Sequence, residues 1–340
     1  MLHVKRPRRA MIAATFGIAI GMSPIASHGQ DMQVIIAIPA PTLTFASHFV
    51  AEDAGFFEKE GLKVQTRNLV GIAATNAMLA GSADFTHGSG ATLLRAASQG
   101  QKVLAIANLV DKVMVETVLR KDVAERLGIT GKTPIAERTQ KLKGLTIAIQ
   151  GVGSIIHAWT RLLADKGGLD IEKDVRIAPM DPPAMLPALT SKAIDGYSTA
   201  LPFTTQAVLK GEAVMLASGV ADVPEVLPIA YNLVFTRPGV CEEKREMCRR
   251  VGRAYAGAAR MIQERPDEVF ETILRKRFPK MDPELLRAAW KVTKDAHAKD
   301  IRVTDEQLDN AQKINISAKL LEPKDVVKSY AGLYTDEFVK

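Results

Sequence analysis

Short apolar runs alternate with segments of helical period along most of the chain. Val34–Ile38 reads VIIAI, a run of strand formers, and is followed by Pro39 and Pro41 and then by a helix with Phe45, Phe49 and Phe56 on one face. Further strands are predicted at 83–85, 103–108, 175–178, 194–199, 214–217 and 229–236, with helices between them. The most informative stretch is Leu145–Leu163, LTIAIQGVGSIIHAWTRLL. Leu145, Ile147 and Ile149 form a strand, Gly151 and Gly153 free the backbone to turn, and Ser154 stands at an N-cap position. Ile155, Trp159, Leu162 and Lys166 then recur at helical spacing until Gly167 and Gly168 stop the helix.

This stretch has a counterpart 111 positions earlier. VIIAIPAPTLTFASHF from Val34 aligns without a gap on LTIAIQGVGSIIHAWT from Leu145. The register continues through Val64 on Val175, Asp84 on Asp195, Gly100 on Gly211 and Val103 on Val214. A constant offset of strands and breakers predicts two similar α/β lobes, each a doubly wound sheet, and the strand–helix alternation predicts parallel pairing. Val113–Leu119 carries the chain out of the first lobe, and Lys121–Lys143, charged and rich in turn formers, reads as a surface connection. From Cys241 onward the pattern is helical, with starts at Asp282-Pro283, Thr304 with Gln307, and Pro323.

In open α/β sheets ligands sit beyond the carboxyl ends of the strands, where helix N-termini offer unpaired amides to anions. Four elbows fall there. They supply the candidate ligand-binding residues: Thr42, Leu43, Thr44 and Phe45; Ser89, Gly90 and Ala91; Gly151, Gly153, Ser154 and Ile155; Thr199, Leu201 and Phe203. Asp181, in the turn before a further helix, joins them. Ser89 and Ser154 are expected to cap their helices, leaving the amides of Gly90–Ala91 and Gly153–Ile155 for an anion. No arginine lies in the elbows, so neutral donors are expected to hold the charge. His48 and His87 have no cysteine or spaced carboxylates beside them and read as packing or hydrogen-bonding residues.

The first 29 residues differ from the rest. Lys5, Arg6, Arg8 and Arg9 precede an apolar run from Ala10 to Met22, and Ser27 and Gly29 take the small-residue positions of a cleavage site. This is the pattern of a secretory signal peptide, exporting a soluble protein that starts near Gln30. Its removal takes four bases and no acids, so the net charge falls from +7 to +3 and the basic precursor does not argue for nucleic acid. Cys241 and Cys248 are the only cysteines. Within one helix their Cα atoms would lie ~10 Å apart, too far to bond, whereas a Cys241 placed before the helix could fold back to make a disulfide. No zinc pattern, P-loop, complete dinucleotide fingerprint or G-x-S-x-G elbow is present, so neither metal, cofactor nor catalytic residue is expected.

ASHFVAEDAGFFEKEGLKVQ, NAMLAGSADFTHGSGATLLRAASQGQKVLAIAN and LKGLTIAIQGVGS resemble the signatures of solute-binding proteins of sulfonate, nitrate and taurine ABC importers, within the thiamine-pyrimidine-synthase-like superfamily. The resemblance covers most of Val34–Phe235. It implies a type II periplasmic binding protein fold with two lobes around a cleft that closes on its ligand. Residues 30–113 and 236–340 would form lobe 1, with the C-terminal helices packed on it, and 114–235 lobe 2. It also implies a monomer in the periplasm that captures a small anion, a sulfonate, carboxylate or similar, for a permease and ATPase. The alternatives are an enzyme related to the thiamine-pyrimidine synthases, whose cysteine-rich motif is missing here, and a periplasmic ligand-sensing partner. Where family members often carry Trp, Glu and Pro, this chain has Ala200, Leu201 and Pro202, which favours a bulkier or less polar anion over taurine.

Overall fold

The structure, a computed structural model, describes residues 1–3, 31–130, 133–222 and 224–339. The expected signal peptide and its cleavage site lie, save for the first three residues, outside the described residues. Among the described residues ten strands form two five-stranded sheets. The first contains β1 (Met32–Ile38), β2 (Leu62–Asn68), β3 (Phe85–Gly88), β4 (Leu104–Asn108) and β10 (Leu233–Thr236), in the order β2-β1-β3-β10-β4. The second contains β5 (Val115–Arg120), β6 (Thr146–Ile149), β7 (Arg176–Pro179), β8 (Gly196–Ala200) and β9 (Ala213–Ser218), in the order β7-β6-β8-β5-β9.

The 111-residue repeat is visible at the level of single hydrogen bonds. The Ile35 amide donates to the Asp84 carboxylate at 2.8 Å, and the Thr146 amide donates to the Asp195 carboxylate at 2.9 Å. Each aspartate ties the start of one strand to the turn before the next. The apolar runs lie in the core: Val34, Ile36 and Ile38 in the first lobe, and Ile147 and Ile149 in the second, are all buried. Burying such runs from both faces is what holds a parallel sheet between its helices.

Several expectations need correction. The sheets are mixed rather than parallel, because β10 runs antiparallel to β3 and β4, and β5 antiparallel to β8 and β9. These two strands arrive from the other lobe, and a period-2 pattern does not encode strand direction. β3 extends through Thr86 and His87, polar residues that sit buried and paired with Phe235 and Val234, where a loop was expected. The 121–143 segment is more than a surface connection. It folds into helices Lys121–Arg126 and Ile135–Gln140 and buries Val123, Ala124 and Leu142. Pro323 starts only a three-residue turn, Pro323–Asp325.

The C-terminal helices cover the first lobe. Helix Arg245–Glu264 turns Cys248, Val251, Tyr255, Ala258 and Ile262 inward against helix Ala46–Asp53 and β4. Asp282 caps helix Pro283–Thr293, and Thr304 with Gln307 forms a reciprocal capping box on helix Asp305–Ser317. Two of these helices also reach the second lobe: Asp305–Ser317 touches helix Ile155–Lys166, and Pro283–Thr293 touches helix Phe203–Leu209. Cys241 and Cys248 form a disulfide with Cα atoms 5.6 Å apart. Lys244, at φ −124° and ψ 52°, breaks the helix between them and brings the two sulfurs together, the fold-back left open by the sequence.

Candidate functional site

The chain crosses between the sheets twice, between β4 and β5 and between β9 and β10, and the two crossings lie side by side. The Leu109 amide donates to Asn232 O at 2.8 Å, Ile229 to Asp111 O at 2.9 Å and Tyr231 to Val110 O at 3.1 Å. Asn108 Nδ2 donates to Ile229 O at 3.1 Å, and Asn310 Nδ2 to Pro228 O at 2.8 Å. Residues 229–232, expected as part of a strand, serve this ribbon instead. Away from it the lobes meet through the C-terminal helices and again around the elbows. The Leu43 amide donates to Leu201 O at 2.9 Å, Gly71 lies against Gly151, and Arg95 Nη2 donates to Gly153 O.

These contacts enclose a cavity of ≈ 50 Å³, counted as the space open to the centre of a water molecule. About 10–15 Å³ by that measure holds one water, so a small polyatomic ligand fits. The first lobe contributes Thr42, Thr44, Phe45, Ser89 and Thr92, together with Gly71, Ile72 and Thr75 of the segment after β2. The second contributes Gln150, Ser154, Ile155, Ile156 and Ala200, and the crossing contributes Tyr231 and Asn232. Ala200 itself lines the cavity, and the carbonyl of the next residue, Leu201, is taken by the Leu43 amide.

The donors fall into two groups. Thr42 Oγ1 and Thr44 Oγ1 are buried without a hydrogen-bond partner, a state that costs about 1–3 kcal/mol per group unless a ligand or water relieves it. Across the cavity, Ile155 and Ile156 open the helix whose N-cap is Ser154, and their amides make no backbone hydrogen bond. Two of the other expected donors are occupied, which takes the amides of Gly153 and Gly90 out of the set, while Ala91 does not line the cavity. The Gly153 amide donates to His157 Nδ1 at 3.1 Å, and the Gly90 amide to Ala230 O at 2.7 Å. Ser154 Oγ accepts from the His157 amide at 3.2 Å and donates to Gly151 O at 2.7 Å, so its proton is spent inside the elbow. Ser89 caps its helix as expected, accepting from the Thr92 amide at 3.1 Å.

Six candidates thus line the cavity: Thr42, Thr44, Phe45, Ser89, Ser154 and Ile155. Leu43 and Leu201 form the closing contact, and Gly151 faces Gly71. Gly90, Ala91 and Gly153 lie behind the wall. Thr199 is buried in β8 opposite Glu116 with its hydroxyl unpartnered, and Asp181 is exposed at the start of helix Pro182–Thr190. Phe203 lines a different space, an outer groove of ≈ 680 Å³ between Pro183, Leu186 and the 277–281 turn. Sequence reasoning missed Gly71, Ile72, Thr75, Gln150, Tyr231 and Asn232. Only Gln150, next to the glycine elbow, carried a local signal.

His87 sits in the cavity wall at the end of a buried chain of hydrogen bonds. Asn232 Nδ2 donates to Thr44 O at 3.0 Å, which leaves its Oδ1 to accept from His87 Nδ1 at 3.1 Å. His87 Nε2 then accepts from the Tyr255 hydroxyl at 2.7 Å, whose oxygen accepts from His48 Nδ1 at 2.8 Å. Burial draws the His87 pKa down to about 4, partly offset by the Asn232 bond, and burial likewise holds His48 well below its usual value, helped by His87 and Arg277. The chain therefore carries no charge at neutral pH. It fixes Asn232, and through it the backbone of Thr44, beside the unpartnered hydroxyls.

The fold is shared with several solved structures. A structure from Bordetella bronchiseptica RB50 superposes with a TM-score of 0.78 at 21% identity, covering 90% of this chain and 95% of that one. The alkanesulfonate-binding protein SsuA of Xanthomonas axonopodis pv. citri, bound to MOPS, gives 0.70 at 17% identity over 90% and 99% of the two chains. The periplasmic nitrate-binding protein NrtA of Synechocystis PCC 6803 gives 0.67 at 13% identity over 90% and 87%. No curated protein matches the sequence. The profile of the NMT1-like family matches residues 30–275, most of the chain, and the protein therefore belongs to the NMT1-like family.

Proposed function

We propose that this is an exported solute-binding protein that closes its two lobes on a compact anion and presents it to a membrane importer. The observation that carries the reading is the convergence of two partnerless hydroxyls, Thr42 and Thr44, with the open amides of Ile155 and Ile156 on one cavity between the lobes. All four are neutral donors, suited to a monoanion whose charge is spread over several oxygens. The binding of an alkanesulfonate by one structural neighbour and of nitrate by another supports this ligand class. In this reading 31–113 with 236–339 and 114–235 move as two bodies about the paired crossings, and the protein works as a monomer in the periplasm after release of residues 1–29. Among the described residues no helix is long and apolar enough to cross a membrane.

The test is a thermal-shift screen of residues 30–340 against nitrate, small alkanesulfonates, carboxylates and aromatic acids. A ligand at ~100 times its dissociation constant stabilises by about 2.7 kcal/mol, so the true class raises the melting temperature by several degrees. If no anion in the panel shifts it, the reading fails.

A further inference from the structure

Helix Gly90–Ser98 begins at the cavity, where Ser89 and Thr92 face it, and carries Arg95 about one turn further along. The Arg95 guanidinium is half-buried between the lobes. Nη1 donates to Asn315 Oδ1 at 2.8 Å and Nη2 to the carbonyl of Gly153 in the opposite elbow. Asn315 is itself held, its Nδ2 donating to Ala91 O at 2.7 Å, so the arginine is oriented from its own lobe before it reaches the other. Gly153 has φ +82°, a left-handed conformation that glycine adopts freely.

Both recorded hydrogen-bond acceptors of Arg95 are neutral, and among the described residues it forms no ion pair with a carboxylate. Burial draws its pKa down only to about 10, so the cation persists at neutral pH. A partly desolvated charge without a counterion is costly. The guanidinium shares an outer groove with Glu322 and Asp325 but pairs with neither, while Nη2 reaches the elbow whose helix opens on the cavity.

We propose that Arg95 is a charge-selecting latch: it closes from the first lobe onto the Gly153 carbonyl and supplies the positive potential that a bound anion neutralises. This rests on the anion-binding reading above. Arg95 is a positioning residue, acting through the elbow peptide that leads into the Ile155 and Ile156 amides. Its effect is greatest in the closed form, so it acts on the release rate and on discrimination between charged and uncharged ligands.

Arg95→Gln and Arg95→Lys are compared with the unmodified protein by calorimetry using methanesulfonate and its uncharged relative dimethyl sulfone. Both probes lose the closing bond to Gly153, and methanesulfonate also loses the compensating charge, so Arg95→Gln is predicted to weaken methanesulfonate roughly 10-fold or more beyond dimethyl sulfone. Arg95→Lys keeps the charge and recovers part of the loss. Unchanged methanesulfonate affinity in Arg95→Gln, or equal loss for both probes, overturns the proposal. In parallel, spin labels at Lys63→Cys and Lys173→Cys, exposed positions on opposite lobes, report the distance between lobes without any ligand. If the unmodified protein binds neither probe, methanesulfonate is not a ligand, and the anion reading is decided by the wider thermal-shift panel. The latch is then judged on the labels alone: longer distances in Arg95→Gln support it, and an unchanged distribution overturns it.

Discussion

Thr42 and Thr44 are the residues on which the ligand reading turns. Each buries a hydroxyl with no partner, so Thr44→Val removes a desolvated polar group and replaces it with an isosteric methyl. In the empty protein this substitution should leave the melting temperature unchanged or raise it. Affinity for the anion should fall by about 10-fold, the worth of one hydrogen bond to a charged group. Calorimetry and melting curves on the same sample separate the two effects. A variant that lost stability and kept its affinity would place the ligand elsewhere. The histidines make a second prediction at this scale. His87, His157 and His297 are each drawn down to about 4, all mainly by burial, whereas in the unfolded chain they titrate near 6.5. Between those values the unfolded state binds more protons, so stability is fully present above pH 6.5 and is lost as pH falls toward 4. For His87 alone the linkage is on the order of 3 kcal/mol. Denaturant melts of His87→Asn should show a shallower acid slope than the unmodified protein, and an equal slope would contradict the assignment.

Among the elements, the elbow 151–155 leads. Ser154 bonds within its own turn, so Ser154→Ala should act through the turn, costing about 1 kcal/mol of cap stability and a correspondingly modest loss of affinity. Ser154→Asp can still cap the helix but puts a negative charge beside the cavity, and should abolish anion binding while the melting temperature holds. Binding by Ser154→Asp equal to that of the unmodified protein would show that the elbow is only a turn. The disulfide is the other element-scale staple. It closes a loop of seven residues, and its loss in a Cys241→Ser, Cys248→Ser variant should cost about 2–3 kcal/mol in urea melts. No change on its loss would mean the bond does not constrain the unfolded chain.

The elements also show what could be read in advance. The 111-residue register placed both copies of β1–β4 and their equivalent aspartates, because apolar periodicity and glycine breakers are local properties. The direction of β5 and β10 was not legible, since alternation is the same for either sense. Serine caps at 89 and 154 were legible from position alone. Which amides remain free was not: the Gly153 amide is taken by His157 and the Gly90 amide by Ala230, pairings that exist only once the turn and the crossing have folded. Arg95 was invisible for the same reason. It lies on a helix face, outside every elbow, and becomes part of the site only where the lobes meet.

At the scale of the whole molecule, two similar sheets exchange one strand each, and the chain that makes the exchange forms the ribbon between them. The C-terminal helices brace the first lobe and touch the second. Donors from both halves of the repeat face one small space: hydroxyls following β1 and amides following β6. The most direct test is a crystal structure of residues 30–340 with the anion that stabilises it best. Closed lobes are expected, with the anion's oxygens ~2.7–3.2 Å from Thr42 Oγ1, Thr44 Oγ1 and the amides of Ile155 and Ile156. An anion found instead in the outer groove beside Lys210 and Lys280, with the inter-lobe cavity holding only water, would contradict it.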